Sequence, residues 1–251
     1  MLRPSFEKSH VADLSQFESH LAPLLSHIPK DGSPVDLQPI FHQFTMDTST
    51  ELLTGTSTHS LQGDHTSNAQ QFVDDFEIAM FDAVIRTRLG KLYYLLPHFQ
   101  ANKAIKRTKQ FVNVYVERAM RLKQQSSTAN DNKGEKSKSF VFLEELAKHE
   151  EVDATRIRDE CLNILLAGRD TTAGLLSHLW YMLARRPDVW QKLQSEVASL
   201  DGELPTYEVL RNLKYMKYCV SESKSRSRKC AVFRMWLTLS QLYACFLLSL
   251  S

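Results

Sequence analysis

The sequence feature that most constrains the fold is a long periodic segment between Asp153 and Pro187. Apolar residues recur through this segment at helical spacing, which predicts one long α-helix with Asp153 as its N-cap and Pro187 beyond its end. Other faces of this helix also carry apolar residues between Leu162 and Leu183, so we expect it to be buried on most sides. The periodic residues recur at steps of three and four over about seven turns: Ile157, Cys161, Ile164, Gly168, Thr171, Leu175, Leu179 and Met182.

Sequence patterns in the rest of the chain also predict helices, so the expected fold class is mainly α. Glycine and proline are each about 3% of the 251 residues, below average usage, which argues against a turn-rich β-sandwich. We expect Asp36 to cap a helix that ends near Gly55, and Thr206 to cap a short turn. Further helices are predicted at 11–25, 72–84, 105–125, 140–149, 188–200 and 212–223, with Val189, Leu193, Val197 and Leu200 facing inward.

One segment of the chain, 126–139, is polar and of low complexity. It has almost no apolar residues to contribute to a core, so we expect a flexible surface connection. The pattern is equally consistent with a domain boundary and with a long loop between two helices of one domain.

Charge divides the chain into a body, 1–223, and a tail, 224–251. The body holds 26 basic and 29 acidic residues, whereas the tail holds five basic residues and no acidic ones. The resulting net charge of +2 is too balanced to predict a nucleic-acid partner. The tail ends in 17 uncharged residues, 235–251, of which 12 are apolar. This length lies at the lower limit for a membrane-spanning helix, so a C-terminal anchor with membrane contact is one interpretation.

Two other interpretations of the tail stay open. The basic run at 224–229, K-S-R-S-R-K, is a weak candidate for a nuclear or nucleic-acid patch. We favour translation from a wrong reading frame or an unremoved intron, because the charge reverses abruptly there. The N-terminal residues contain no apolar stretch, so we expect no signal peptide or N-terminal anchor.

Cysteine and histidine spacing predicts no metal site. The four cysteines form no C-x-x-C pair, and the nine histidines form no H-E-x-x-H motif. We also expect Cys230 and Cys245 to be unreactive thiols, because a reactive or ligating thiolate needs a shaped loop around it and neither cysteine has one in its sequence.

A polar patch, A-G-R-D-T-T at 167–172, interrupts the long apolar helix. Glycine inside a helix costs about 1 kcal/mol relative to alanine, so Gly168 needs a reason. One interpretation is a shallow ligand groove at Ala167 and Gly168, with the Thr171 hydroxyl bonding back to the Ala167 carbonyl and Asp170 relaying protons. The other is a close crossing of two helices.

Several segments together resemble the cytochrome P-450 family of haem–thiolate monooxygenases. They are A-G-R-D-T-T, the following L-S-H-L-W-Y-M-L-A-R-R-P-D-V-W-Q-K-L-Q-S-E-V, and 210–222. The opening R-P-S-F and V-D-L-Q-P-I-F-H-Q-F-T-M-D-T-S-T-E-L-L-T-G are similar to fungal members that hydroxylate alkanes and fatty acids. The resemblance covers residues 1 to about 223, so we expect 1–223 to be a partial P-450 domain and 224–251 to be unrelated to the family.

The resemblance implies roles for five residues. Thr171 resembles the family's oxygen-activating threonine, and Asp170 resembles its acidic neighbour in proton delivery. Ala167 and Gly168 resemble the groove over the haem, and Glu222 resembles the structural glutamate of the Glu-x-x-Arg motif. The implied cofactor is haem, and the implied partners are an apolar small-molecule substrate, dioxygen and a reductase that donates electrons. The implied location is the cytosolic face of the endoplasmic reticulum membrane.

The sequence departs from the family at both ends. Ser225 stands where Glu-x-x-Arg requires arginine, which comes one position later at Arg226, so we expect a misdirected guanidinium. No F-x-x-G-x-R-x-C-x-G segment supplies an axial cysteine, and no W-x-x-x-R precedes Leu2. We expect a P-450 fold that lacks its N-terminal and haem-ligand regions, with little or no activity alone. The alternative function is a non-catalytic helical fragment or a tail-anchored binding protein.

Overall fold

The computed structural model describes residues 14–63, 68–128, 141–147 and 153–229. Throughout these ranges the regular structure is helical and contains no strand, which confirms the mainly α prediction. The helices are α1 (Ser15–Ser26), α2 (Leu37–Thr54), α3 (Asn68–Leu89), α4 (Phe99–Thr128), α5 (Phe142–Ala147), α6 (Ala154–Ala184), α7 (Pro187–Ala198), α8 (Tyr207–Asn212) and α9 (Lys214–Lys229). Short 3₁₀ turns at Ser60–Gln62 and Gly90–Leu95 flank α3.

The predicted caps occupy helix ends in the structure. The Asp36 carboxylate accepts a hydrogen bond from the Gln38 amide at 3.0 Å, and Gly55 closes α2 in the left-handed region at φ 75°. Thr206 accepts from the Val209 amide at 3.4 Å and begins α8. Asp153 lies at the N-cap position of α6, but its side chain makes no capping bond.

Two predicted boundaries differ from the structure. The helix α4 continues to Thr128, so 126–128 are helical, and the rest of the predicted loop lies outside the described residues. The helix α9 passes Ser223 without a break and reaches Lys229. Lysine and arginine are good helix formers, and the Glu222–Arg226 pair at i and i+4 supports the extra turns. The predicted division of the chain at 223/224 therefore coincides with no helix end.

The main core lies between α2, α3, α4, α5 and α6. The aromatic rings of Phe72 on α3 and Phe111 on α4 stack there, with ring centroids 4.2 Å apart. The fully buried side chains include Met46, Leu53, Val112, Val116, Phe142, Leu143, Leu146, Ile157 and Leu165. A second cluster joins α1 and α2 to Ala173 of α6.

The helix α6 is buried in its first half only. Nine of its residues are buried, and from Gly174 to Ala184 only Leu183 is among them. Tyr181 is 56% exposed. The expectation of burial on most sides is therefore wrong for this half, because α7 and α9 cover it incompletely and leave an open groove of about 210 Å³.

The prediction that one face of α7 is buried is also wrong, since this helix buries no residue. Val197 is 40% exposed, whereas Val189, Leu193 and Leu200 are half-buried. An amphipathic pattern identifies the apolar face of a helix but does not supply the neighbour that covers it.

Two acidic side chains hold separate segments together. Asp47, 1% exposed on α2, accepts hydrogen bonds from the hydroxyl of Thr58 at 2.7 Å, the amide and hydroxyl of Ser60 at 2.7 and 2.9 Å and the amide of Leu61 at 3.0 Å. Glu196 on α7 accepts from the amides of Tyr215 and Met216, each at 2.8 Å, at the start of α9. These carboxylates anchor the 3₁₀ turn at Ser60–Gln62 to α2 and fix the position of α9.

Among the described helices, none has both the length and the hydropathy needed to cross a membrane. The apolar stretch 235–251, which carries the predicted anchor, lies outside the described residues.

Candidate functional site

The A-G-R-D-T-T patch lies in the middle of α6, where α2 crosses it. A Cβ atom added at Gly168 would lie 3.3 Å from the Ser49 hydroxyl of α2. Glycine therefore permits a close approach of the two helices, as one interpretation of the patch anticipated. A role for Gly168 beside a cofactor stays a prediction.

Ala167 and Thr171 lie one turn apart on the open side of α6. Ala167 is exposed and Thr171 is half-buried. The Thr171 hydroxyl donates a hydrogen bond to the Ala167 carbonyl at 2.5 Å, which confirms the predicted back-bonding. The small alanine side chain and the half-exposed hydroxyl leave room for a ligand against this face.

Asp170 is 2% exposed and Arg169 is 4% exposed, so both point into the protein. One carboxylate oxygen of Asp170, Oδ1, accepts from Nη1 of Arg169 at 3.0 Å, whereas Oδ2 has no hydrogen-bond partner among the residues that the structure describes. The Arg169 guanidinium also donates to Glu77 on α3 at 2.5 Å and lies over the Phe76 ring. Asp170 and Thr171 are thus neighbours in sequence that occupy different faces of α6.

His42 on α2 is the third group next to Asp170. Its Nδ1 lies 3.6 Å from Oδ1 of Asp170 and has no hydrogen-bond partner, and its side chain is 26% exposed. The contacts of Arg169, Glu77 and His42 with Asp170 or its partners were not predicted from the sequence. A signal was available for Arg169, because a charged residue inside a buried helix must have a partner. No local pattern indicated which residues of α2 and α3 would supply it.

Glu222 lies on α9 and accepts a hydrogen bond from Nε of Arg226 at 2.6 Å. Both side chains are more than half exposed. The displaced arginine therefore still reaches Glu222, because residues at i and i+4 are neighbours on a helix. Such an exposed pair contributes about 0–1 kcal/mol. The structural role implied for Glu222 by the resemblance stays a prediction.

The described cysteines are held in the neutral thiol form. Cys161 lies in the main core, and burial raises the pKa of its thiol to about 12. Burial, and then the charge of Glu196, raise the pKa of Cys219. Cys230 and Cys245 lie outside the described residues. Within the described ranges, no group of three or more His, Cys, Asp or Glu side chains is placed to hold a metal ion.

These residues fit one side of a haem site. The open face at Ala167 and Thr171 suits the side on which a small ligand binds, and the Asp170 carboxylate is buried on another face of α6. An axial ligand in this family chemistry is a cysteine thiolate; Cys161 is enclosed in the main core, and Cys219 lines the separate groove between α6 and α9. The described residues thus fit one wall of a haem site, and neither described cysteine opens onto that wall.

The described fold is all-helical and built on one long helix, with a hydroxyl on its open face and a buried carboxylate beside it in sequence. The comparison with known sequences agrees, since the profile of the cytochrome P450 family matches residues 20–224. The chain belongs to the cytochrome P450 family.

Relatives and solved structures support this assignment. The chain is 45% identical over 226 residues to cytochrome P450 monooxygenase himC of Aspergillus japonicus, and the match covers 89% of this chain and 40% of the relative. It is 36% identical over 240 residues to cytochrome P450 52A4 of Candida maltosa, covering 89% and 43%. The crystal structure of the cytochrome P450DA heme domain matches with a TM-score of 0.70 at 18% identity, covering 88% of this chain and 47% of that chain.

The chain thus spans less than half the length of the curated relatives it matches. The resemblance found in the sequence and the partial P-450 fold are confirmed.

Proposed function

We propose that this chain forms the distal, oxygen-facing part of a haem-dependent monooxygenase that hydroxylates an apolar small molecule. The observation that carries the proposal is the pairing of Thr171 and Ala167 on the open face of α6, next to the buried Asp170. Haem, when bound, supplies the activation of dioxygen with electrons from a reductase.

This chain's own residues would supply protons and would keep large side chains away from the bound ligand. The Ala167 methyl group keeps the wall shallow where a small ligand must fit. The Thr171 hydroxyl, held by the Ala167 carbonyl, presents a donor and acceptor at a fixed position. Asp170 provides a carboxylate that can hold and release a proton behind the wall.

The finer assignment concerns substrate and location. A long-chain alkane or fatty acid is the proposed substrate, supported by the likeness of residues 3–6 and 35–55 to fungal members that hydroxylate such molecules. The proposed location is the cytosolic face of the endoplasmic reticulum membrane, by family. A membrane contact through 235–251 is part of this proposal.

The 251 residues alone are proposed to have little monooxygenase activity, because the sequence holds no axial-cysteine segment. Purification with excess haem, followed by the carbon monoxide difference spectrum, tests this. We expect no thiolate–carbonyl band. A band at full haem content would contradict the proposal for the isolated chain.

Activity is tested on the haem-loaded protein produced from this gene, whatever its length. Thr171→Ala is expected to lower product formed per dioxygen consumed by about tenfold or more, because general acid–base catalysis contributes about 10²–10⁴-fold. Thr172→Ala is the matched control, since this neighbouring threonine is exposed. Equal yields from both variants would refute the role of Thr171. A protein that binds no haem would instead favour a non-catalytic helical protein.

A further inference from the structure

Asp170 has a buried carboxylate, so protons need a route from solvent to reach it. Its side chain is 2% exposed, and its Oδ2 has no hydrogen-bond partner. A carboxylate that supplies protons in repeated cycles needs a neighbour that exchanges protons with water. The following inference therefore rests on the proposed function.

The Arg169–Glu77 side of the site is a poor proton route. Arg169 joins Asp170 to Glu77, whose side chain is 59% exposed. Arginine keeps its proton at all working pH values, so it orients the Asp170 carboxylate and does not relay protons. Glu77 is linked to Asp170 only through this guanidinium.

The His42 side of the site has the properties of a relay. Histidine exchanges protons between about pH 5 and 8, and each ring nitrogen can carry one. Nδ1 of His42 lies 3.6 Å from Oδ1 of Asp170. This separation is longer than a direct hydrogen bond, and a small side-chain movement or one bridging water closes it. Both the His42 Nδ1 and the Asp170 Oδ2 are buried atoms without partners, which structures rarely leave unused.

We propose that His42 is a positioning residue that passes protons from solvent to Asp170 for the reaction at the Thr171 face. A proton taken up at Nε2 gives an imidazolium, and the proton on Nδ1 then moves to the Asp170 carboxylate. The ring is left neutral with its proton on Nε2, and Asp170 is left neutral until it gives its proton onward. The cycle closes when Nε2 gives its proton back to solvent and Nδ1 takes one up as the ring turns toward water, which restores the starting neutral tautomer.

The charged groups around the pair set the sign of its pH dependence. The Asp170 carboxylate attracts protonated His42, Arg169 opposes that protonation, and Glu77 offsets Arg169. The carboxylate is the nearest of these groups to His42, so attraction should dominate. A protonated His42 is therefore attracted to the Asp170 carboxylate, whereas a neutral ring is not.

The first test needs no haem. In the 251-residue chain, His42→Gln keeps a polar side chain and removes the titrating group. It is expected to raise the unfolding equilibrium constant about three- to tenfold at pH 5.5 and not at pH 8. The same substitution in an Asp170→Asn background should lose this pH-dependent difference. A coupling that is absent or equal at both pH values overturns the proposal.

His27→Gln is the matched control, because Nε2 of His27 lies 2.7 Å from a carbonyl oxygen, that of Leu61, rather than from a carboxylate. It should show no dependence on Asp170. If Asp170→Asn does not fold, NMR spectra of the histidine ring nitrogens in the unaltered chain replace the comparison of single and double variants. The His42 signal is identified by its loss in His42→Gln. The proposal requires Nδ1 to gain a proton as the pH falls from 8 to 5. An Nδ1 that keeps one state throughout this range refutes it.

The second test uses the haem-loaded gene product. His42→Gln should lower kcat at neutral pH about tenfold, leave KM and haem content unchanged, and enlarge the effect of D2O on kcat. An unchanged kcat and pH profile would overturn the role of His42 and leave the proposed monooxygenase intact. A protein that binds no haem but shows the pH-dependent coupling would refute the monooxygenase and leave the His42–Asp170 interaction intact.

Discussion

Replacing Asp47 by asparagine is expected to destabilise the chain by about 4 kcal/mol. The carboxylate accepts three hydrogen bonds at Oδ1, from Thr58 and Ser60, and one at Oδ2, from the Leu61 amide. With the amide oxygen at the Oδ1 position, three charge-assisted bonds become neutral and weaken by about 0.5–1 kcal/mol each. The amide nitrogen would face the Leu61 N–H, and a buried unpaired donor costs about 1–3 kcal/mol.

The measurement is urea unfolding followed by circular dichroism at 222 nm. For a chain of 251 residues, a loss of this size corresponds to a melting temperature about 8–16 °C lower. Asp74→Asn on the exposed side of α3 is the control and should change stability by less than about 0.5 kcal/mol. If Asp47→Asn costs less than about 1 kcal/mol, the hydrogen bonds to Asp47 do not hold the turn at Ser60–Gln62.

Three further changes test other parts of the fold. Gly168→Val should cost about 1–3 kcal/mol, because a Cβ already lies 3.3 Å from a side chain of α2; equal urea midpoints for Gly168→Val and wild type would contradict the close crossing. Burial, and then the hydrogen bond to Asp82, raise the pKa of Tyr93 to about 12. The pKa of this tyrosine in the unfolded chain is about 10, so its contribution to the free energy of unfolding is complete below pH 10 and is lost between pH 10 and 12. Tyr93→Phe should therefore flatten the alkaline side of a plot of stability against pH. Glu196→Gln should lower stability by about 1 kcal/mol through weaker capping of α9, whereas Glu203→Gln, at an exposed position, should not; thermal unfolding of the two variants side by side decides this.

Local sequence patterns predicted helix positions well, because periodicity and caps act within a few residues. The helix from Asp36 to Gly55 has its predicted cap and its predicted glycine terminus. The back-bond from Thr171 to Ala167 was likewise predictable, since both groups lie on one turn.

The same patterns failed where burial depends on a distant neighbour. Leu175 and Leu179 have the spacing of buried residues, yet both are half-buried because no described helix fully covers that side of α6. Conversely, Asp47 and Arg169 are charged residues that the fold buries by pairing them with groups from other segments.

The candidate site was therefore only partly predictable. The A-G-R-D-T-T patch pointed to the turn of α6 at which α2 crosses closely, and the family resemblance gave its residues their expected roles, which stay predictions. The orientation of Asp170 toward α2 depends on long-range packing, as does its approach to His42. No spacing within α6 contains that information.

The close crossing at Gly168 has a consequence for how this site can change through evolution. The two helices that meet at Gly168 and Ser49 are the same two that carry Asp170 and His42. A bulky side chain at Gly168 is expected to push α6 and α2 apart at this crossing, and so to alter the 3.6 Å separation between the histidine and the carboxylate. A substitution at Gly168 would thus change the distance between His42 and Asp170 without altering either residue.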